Sequence, residues 1–349
     1  MTRAERFWVA FNGGQPDKVP ITELEIDRKI FFGLAPLLGI DAPGSKPELE
    51  LQGDVLEALD LDAIVCAPSQ DLHPVSPSQA QDKFGRVFNT SIHGEALPGE
   101  PRVSTPAEAD AFDMLARLES GDFDAVDYFI ERFGPDRGCC MWLTDPYKEA
   151  WRSVGGMENL LLAFAEQPGL VDRLIEVTGE YVLGVVEAAA DMGIRTFIMS
   201  GDYAMETGPL FSVEMYRRYL APVHRQIIDA VHQRGGLIAK HSDGNMWKLI
   251  DDWVDVGFDG FHPVQPQCMN IAEVKAHLAG RMSVWGNIDC RTLLVTGTPN
   301  DVRRSVRETI EIAAPGGGYI ITSSNSIHPN VPAENYLAMV EAAHEFGTY

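Results

Sequence analysis

The chain has 349 residues, a formal net charge of −23 and 45% hydrophobic residues. So much negative charge argues against nucleic acid or an anionic membrane as a partner, and against a polyanionic substrate unless a local basic pocket overrides the field. No apolar run reaches membrane-spanning length and no signal-peptide pattern opens the chain. The five cysteines (Cys66, Cys139, Cys140, Cys268, Cys290) form no CxxC pair, so a reduced, cytoplasmic protein is expected.

Thr2 to Gly13 reads as a short amphipathic helix, and Asp17-Lys18-Val19-Pro20-Ile21 as a turn into a first strand ending near Glu23 and Glu25. Gly39 to Pro47 is a Gly/Pro-rich loop, and Leu56 to Cys66 resembles a helix-to-strand unit. Ser76 to Thr105 mixes turns with hairpin strands around Gly85-Arg86-Val87-Phe88, and Pro106 to Tyr128 reads as acidic surface helices. This first region is expected to cap the barrel's N-terminal entry or to line its mouth.

The second half repeats one rhythm of helix, glycine, short apolar run and polar tip. Gly193 leads through Thr196 to Met199 into Ser200-Gly201-Asp202. After a helix over Val213 to Arg234, Gly235 leads through Leu237-Ile238-Ala239 into Lys240-His241-Ser242-Asp243-Gly244, before a helix over Met246 to Val256. Gly257 leads through Phe258 to Phe261 into His262-Pro263-Val264-Gln265, and Gly280 through Met282 to Trp285 into Gly286-Asn287-Ile288-Asp289. Gly316 to Gly318 lead through Tyr319 to Ile321 into Thr322-Ser323-Ser324-Asn325. Glycine suits a helix C-cap, and continuous apolar runs suit strands covered on both faces. The pattern predicts an α/β protein of the (β/α)8 TIM-barrel class with an N-terminal extension, residues 1–349 forming one domain. A doubly wound open sheet is the alternative, because periodicity alone does not close a sheet. In either fold the polar tips fall at the C-terminal ends of strands, where parallel α/β proteins place their chemistry.

The block from Ser200 to Asp289 resembles the uroporphyrinogen decarboxylase superfamily, particularly its corrinoid-dependent methyltransferase branch. The likeness rests on Gly201-Asp202-Tyr203 with Gly208, Tyr219-Leu220-Ala221-Pro222, His232 with Gly235, and His241-Ser242-Asp243-Gly244-Asn245. It continues through Gly257-Phe258-Asp259, Pro263-Val264-Gln265-Pro266, Trp285-Gly286-Asn287-Ile288-Asp289, Gly317-Gly318-Tyr319-Ile320, Pro332 and Glu334-Asn335. The resemblance implies a (β/α)8 barrel with its site at the strand C-termini.

Departures from the family select a branch. True decarboxylases carry an arginine-rich segment near the N-terminus that grips the porphyrinogen carboxylates; here it reads Val19-Pro20-Ile21-Thr22-Glu23-Leu24-Glu25. Where they place a catalytic aspartate after the early strand, this chain has Ala67-Pro68-Ser69, and their late histidine falls at about Asn325. Acidic residues facing a polycarboxylate oppose binding. The thiol-methylating branch holds zinc by His-x-Cys and a later cysteine, where this chain has His241-x-Asp243 and Asn325.

Two uses of these residues stay open. His241 and Asp243, with Glu25, can hold zinc or a harder divalent ion through nitrogen and oxygen, or they can hydrogen-bond a polar substrate with no metal. The resemblance implies a methyltransferase that takes a methyl group from a small methoxylated or methylated compound and passes it to a corrinoid on a partner protein, since the chain lacks a DxHxxG-type cobalamin signature. His241, Asp243 and Glu25 are the candidate catalytic residues, protonating or coordinating the leaving oxygen. Asp202, Tyr203, Asn325, Trp285 and Gln265 are candidates for substrate binding. A lyase acting on a smaller carboxylic acid and a non-catalytic barrel are the alternatives. A homodimer is expected from resemblance alone.

Overall fold

The structure is a computed structural model that describes every residue except 42, 43, 45, 70 and 91–95, so parts of the expected 39–47 loop and of the 76–105 hairpin region lie outside the described residues. Seven parallel strands pair in the order Ala63–Cys66, Gly138–Thr144, Thr196–Ser200, Leu237–His241, Gly260–His262, Ser283–Trp285 and Tyr319–Ile320. The segment around Ile21 closes the ring. On one side the Asp62 amide donates to Ile21 O (2.8 Å); on the other the Ile321 amide donates to Pro20 O (3.0 Å) and the Thr22 amide to Ile321 O (3.3 Å). Eight staves therefore surround the axis, and the expected (β/α)8 barrel is present.

The glycine rhythm has its anticipated cause. Gly193, Gly235, Gly257 and Gly280 stand just beyond helix ends with φ of 96°, 70°, 105° and 71°, a left-handed backbone that other residues adopt at a cost. The chain then reverses directly into strands such as Thr196–Ser200 and Leu237–His241, buried at every position.

The helix Arg3–Phe11 begins at a capping box formed by Thr2 and Glu5. Its Phe7 and Phe11 rings meet the edge of Trp285 at centroid distances of 5.4 and 4.8 Å. They join Ala63, Cys140, Ile198, Leu237, Ala239 and Ile320 in one apolar cluster that fills the N-terminal end of the barrel. The four-stranded antiparallel sheet His73–Ser76, Gln79–Gln81, Val87–Thr90 and Ala96–Pro98 packs at the other end, with Phe84 against Tyr181 of the helix Pro168–Asp191. Each expected role of the N-terminal region is thus taken by a different segment.

Some elements differ from expectation. Gly138–Thr144, which carries Cys139 and Cys140, is a barrel strand that the glycine rhythm does not mark. The helix expected from Val213 runs to Gln233 with a widened turn over Tyr216–Leu220, and the one expected from Met246 begins at Ile250. No described helix is long and apolar enough to cross a membrane.

Candidate active site

Loops leaving four of the staves converge at the C-terminal end. Asp202 follows Thr196–Ser200, His241 ends its own strand and leads to Asp243, His262 ends Gly260–His262, and Ser323 with Asn325 follows Tyr319–Ile320. His241 Nε2 lies 3.5 Å from Asp202 Oδ1. The Asp243 amide donates to the same Asp202 oxygen (3.3 Å), and the Asn325 amide group donates to Asp243 Oδ2 (2.5 Å). One ligand atom from each of Asp202, His241 and Asp243 falls within 4.8 Å of the others. Asp243 Oδ1 is buried and meets no hydrogen-bond donor among the described residues.

A second histidine fixes the first. His241 Nδ1 and His262 Nδ1 are 2.7 Å apart, so one of them carries the shared proton. Burial pushes the His262 pKa well down and keeps that ring neutral, and its buried Nε2 has no partner among the described residues. An unpaired N–H is costlier to bury than an unpaired lone pair. His262 therefore donates from Nδ1, which leaves the proton of neutral His241 on Nε2, facing Asp202.

The two carboxylates are driven apart. Burial opposes charge on Asp202, but the His241 contact outweighs it and Lys148 assists, so Asp202 stays below the usual carboxylate range. Burial pushes Asp243 up to about 6, and the Asp202 charge adds to the rise while His241 opposes it. One group is held ionised and the other is poised to carry a proton, the environment-driven split that assigns base and acid roles. The space between His241 Nε2, Asp202 and Asp243 Oδ1 suits either a proton or a divalent cation. An orphaned buried carboxylate oxygen beside nitrogen and oxygen donors fits zinc or a harder ion.

Of the two N-terminal glutamates, Glu23 is the one turned inward. Its Oε1 accepts from Ser323 Oγ (2.8 Å) and the Leu24 amide (3.1 Å), and its Oε2 from the Ser323 amide (3.0 Å). Burial pushes Glu23 up to about 8, against the pull of those donors. Glu25 is exposed and meets neither His241 nor Asp243; it borders, with Glu23, Cys66 and Trp142, a cavity of about 280 Å³. The strand period places the two on one face, and the contact with Ser323 holds the earlier of them inward.

Two expected substrate-binding residues lie elsewhere. Tyr203 is fully buried between strands and helices, its hydroxyl donating to Asp145 Oδ1 (2.9 Å) and lying 3.1 Å from His224 Nε2. The chain turns outward after Asp202, which carries that ring through the barrel wall. Trp285 faces the axis but at the floor, against Phe7 and Phe11. Gln265 accepts from the Gly244 amide (2.9 Å) and so braces the Asp243 loop. Asp202, His241, Asp243 and Asn325 are brought together as expected.

Behind the wall, Lys240 is completely buried. Its Nζ donates to the carbonyls of Gly201 and His241 (both 2.9 Å) and pairs with Asp145 Oδ2 (3.0 Å). One ammonium thus ties the Asp202 loop to the His241 strand, a role invisible in the sequence because Asp145 is remote in the chain.

Residues 101–346 match the family described as uroporphyrinogen decarboxylase (URO-D). The chain belongs to the uroporphyrinogen decarboxylase family. Members similar to it are named both as methyltransferases and as decarboxylases. A methylated-thiol–coenzyme M methyltransferase of Methanosarcina mazei is 24% identical over 273 residues, 74% of this chain and 71% of that one. A methylcobamide:CoM methyltransferase of Methanosarcina barkeri is 21% identical over 353 residues, covering 99% of this chain and 98% of its own. A uroporphyrinogen decarboxylase of Actinobacillus succinogenes is 32% identical over 272 residues, 76% of this chain and 71% of that one. The solved structure of a methyltransferase from Methanosarcina mazei shares the fold, with a TM-score of 0.76 over 99% of each chain at 18% identity.

Proposed function

We propose that this URO-D family protein is a demethylase component, which moves a methyl group from a small methoxylated or methylated compound to a corrinoid carried by a partner protein. The observation that carries the reading is the Asp202–His241–Asp243 cluster with its orphaned carboxylate oxygen, at the mouth of a barrel whose relatives include a methylcobamide:CoM methyltransferase. A methyl ether resists cleavage because alkoxide or phenoxide leaves poorly, and delivering a proton to that oxygen as the bond breaks lowers the barrier. His241 Nε2–H, and the carboxyl of Asp243 in its protonated form, offer protons at the C-terminal end of the barrel. Asp202 keeps the His241 ring turned toward the mouth, and Asn325 fixes the Asp243 carboxyl. With the proton shared between the two histidines moved to His241 Nδ1, which frees Nε2, Asp202, His241 and Asp243 would also hold zinc, which supplies Lewis-acid stabilisation of the leaving oxygen when bound.

Porphyrinogen decarboxylation fits poorly. Glu23 and Glu25 stand on the strand tip where a polycarboxylate would need cations. A lyase acting on a smaller acid is the second reading, favoured by Glu23, which burial keeps protonated near neutrality and able to protonate a carbanion.

An anaerobic spectrum of cob(I)alamin with the protein and a panel of methoxylated and N-methylated compounds tests the proposal. Conversion to methylcob(III)alamin should require one donor and should fall about 100-fold or more in His241→Ala. Carbon dioxide release from a small acid, without any methyl transfer, would establish the lyase instead.

A further inference from the structure

His262 ends the strand Gly260–His262 and is fully buried, and His241 on the neighbouring strand end is buried beside it. The two ring centroids lie 4.9 Å apart, and the rings share one hydrogen bond, Nδ1 to Nδ1 (2.7 Å). A neutral imidazole carries one proton on one of its two nitrogens. The shared bond therefore couples the two tautomers. If His262 donates, His241 keeps its own proton on Nε2. If His241 donates, its Nε2 is bare and the proton of His262 must sit on the far nitrogen. Both arrangements hold two protons and no net charge, so pH does not choose between them.

Their surroundings do choose. In the first arrangement His241 Nε2–H faces Asp202 Oδ1 at 3.5 Å, and His262 Nε2 buries only a lone pair. In the second, His262 buries an N–H that meets no acceptor among the described residues. Trp285 stands edge-on to that ring at 6.3 Å, and its indole N–H is already committed to Ser283 Oγ. An orphaned buried donor is the costlier of the two. A metal ion on His241 Nε2 requires the second arrangement. Metal-binding histidines usually avoid this cost by donating their other N–H to a carboxylate, a carbonyl or water, which accept without rearranging. His262 accepts only by carrying its own proton to the unpartnered side.

We infer that His262 is a positioning residue that holds His241 as an Nε2–H proton donor and opposes a metal ion at the Asp202–His241–Asp243 cluster. The inference rests on the reading of that cluster as the reactive site and specifies how it is regulated. Proton delivery is its resting use, and a metal enters only when both histidines exchange tautomers together. As His241 Nε2 gives up its proton, the shared proton crosses to His241 Nδ1 and His262 gains one on Nε2. The pair keeps two protons throughout.

Two measurements on the full chain test this, with neither corrinoid nor methyl donor present. Nitrogen-15 NMR of histidine-labelled protein at about pH 8, above the ordinary histidine range, reads each ring's tautomer from its long-range couplings. Without zinc, His241 should be the Nε2–H form and His262 the Nδ1–H form. Saturating zinc should convert His262, which the ion does not touch, to the Nε2–H form. Zinc titration against a competing chelating dye then compares the wild type with His262→Ser. A hydroxyl, and the water admitted beside it, accept as readily as they donate, so the variant should bind zinc about tenfold or more tightly. The NMR measurement needs no variant and decides the matter if His262→Ser fails to fold. An Nε2–H form of His262 without zinc, or a His262 tautomer unmoved by bound zinc, overturns the inference. So does zinc binding that is absent from both proteins, or no tighter in a folded His262→Ser. Methyl transfer is judged separately with cob(I)alamin, so its failure alone would remove the proposed reaction and leave the tautomer lock standing.

Discussion

Replacing Glu23 by glutamine sets two opposing forces on one carboxyl against each other. Burial disfavours its charge, while three donors, from Ser323 twice and Leu24 once, favour it. If burial wins, the pKa rises from 4.5 to about 8 on folding. Below 4.5 the carboxyl is protonated in both folded and unfolded chains and costs nothing. Between 4.5 and about 8 the folded chain holds a proton that the unfolded chain has lost, so wild-type stability falls as pH rises; above about 8 the full cost is present. At about 1.36 kcal/mol per pH unit that interval bounds the effect at about 5 kcal/mol. Glutamine keeps the shape and cannot ionise; its oxygen accepts from Ser323 Oγ and the Leu24 amide, while its NH2 cannot accept from the Ser323 amide, a loss that does not depend on pH. Urea unfolding of both proteins from pH 4 to 9 should therefore show Glu23→Gln gaining on the wild type by about 2–5 kcal/mol between pH 5 and pH 8, then levelling. A difference curve that is flat above pH 5, or one in which the wild type loses ground only as pH falls below 4.5, would show that the donors win and would refute the burial argument.

Other consequences follow from the same geometry. Zinc in saturating amount should raise the melting temperature of the wild type by roughly 2–5 °C and leave Asp243→Ala unmoved, as differential scanning calorimetry would report. Gly244→Ala places a Cβ 2.6 Å from Ala204 O on a backbone with φ of 90°, so about 2 kcal/mol or more of stability should be lost, together with alignment of Asp243. Phe7→Ala removes a ring packed edge-on against Phe11 and Trp285 and should cost about 3–5 kcal/mol in denaturant unfolding, with binding at the mouth little changed.

The repeated glycines made the second half of the barrel legible, because a left-handed helix end is a local demand that one residue type meets best. His241, Asp243, Asp202 and Asn325 were legible for a related reason: each follows an apolar run closely enough that the end of the strand fixes its place. Distance along a strand and the direction of a loop were not. Trp285 lies on the correct face but near the wrong end, and Tyr203 follows a turn that leads out through the wall. Glu23 and Glu25 differ by two positions, so the strand period treats them alike, and only the Ser323 contact on the far side of the closed ring separates them. Gly138–Thr144 follows the helix Asp124–Phe133 and its capping Gly134, but Pro135, Asp136 and Arg137 stand between that glycine and the strand, which stretches the rhythm and hides it.

The floor that Phe7, Phe11 and Trp285 build gives the barrel a single doorway. Under the proposed methyl transfer, whatever enters to react would have to leave by the way it came, and a macromolecule bringing the methyl acceptor would press against that same opening. The small donor would then be seated before the large acceptor arrives, and the demethylated product would stay shut in until the acceptor withdraws. A sealed base thus sets the order of traffic, and saturating acceptor should slow turnover by holding the door closed.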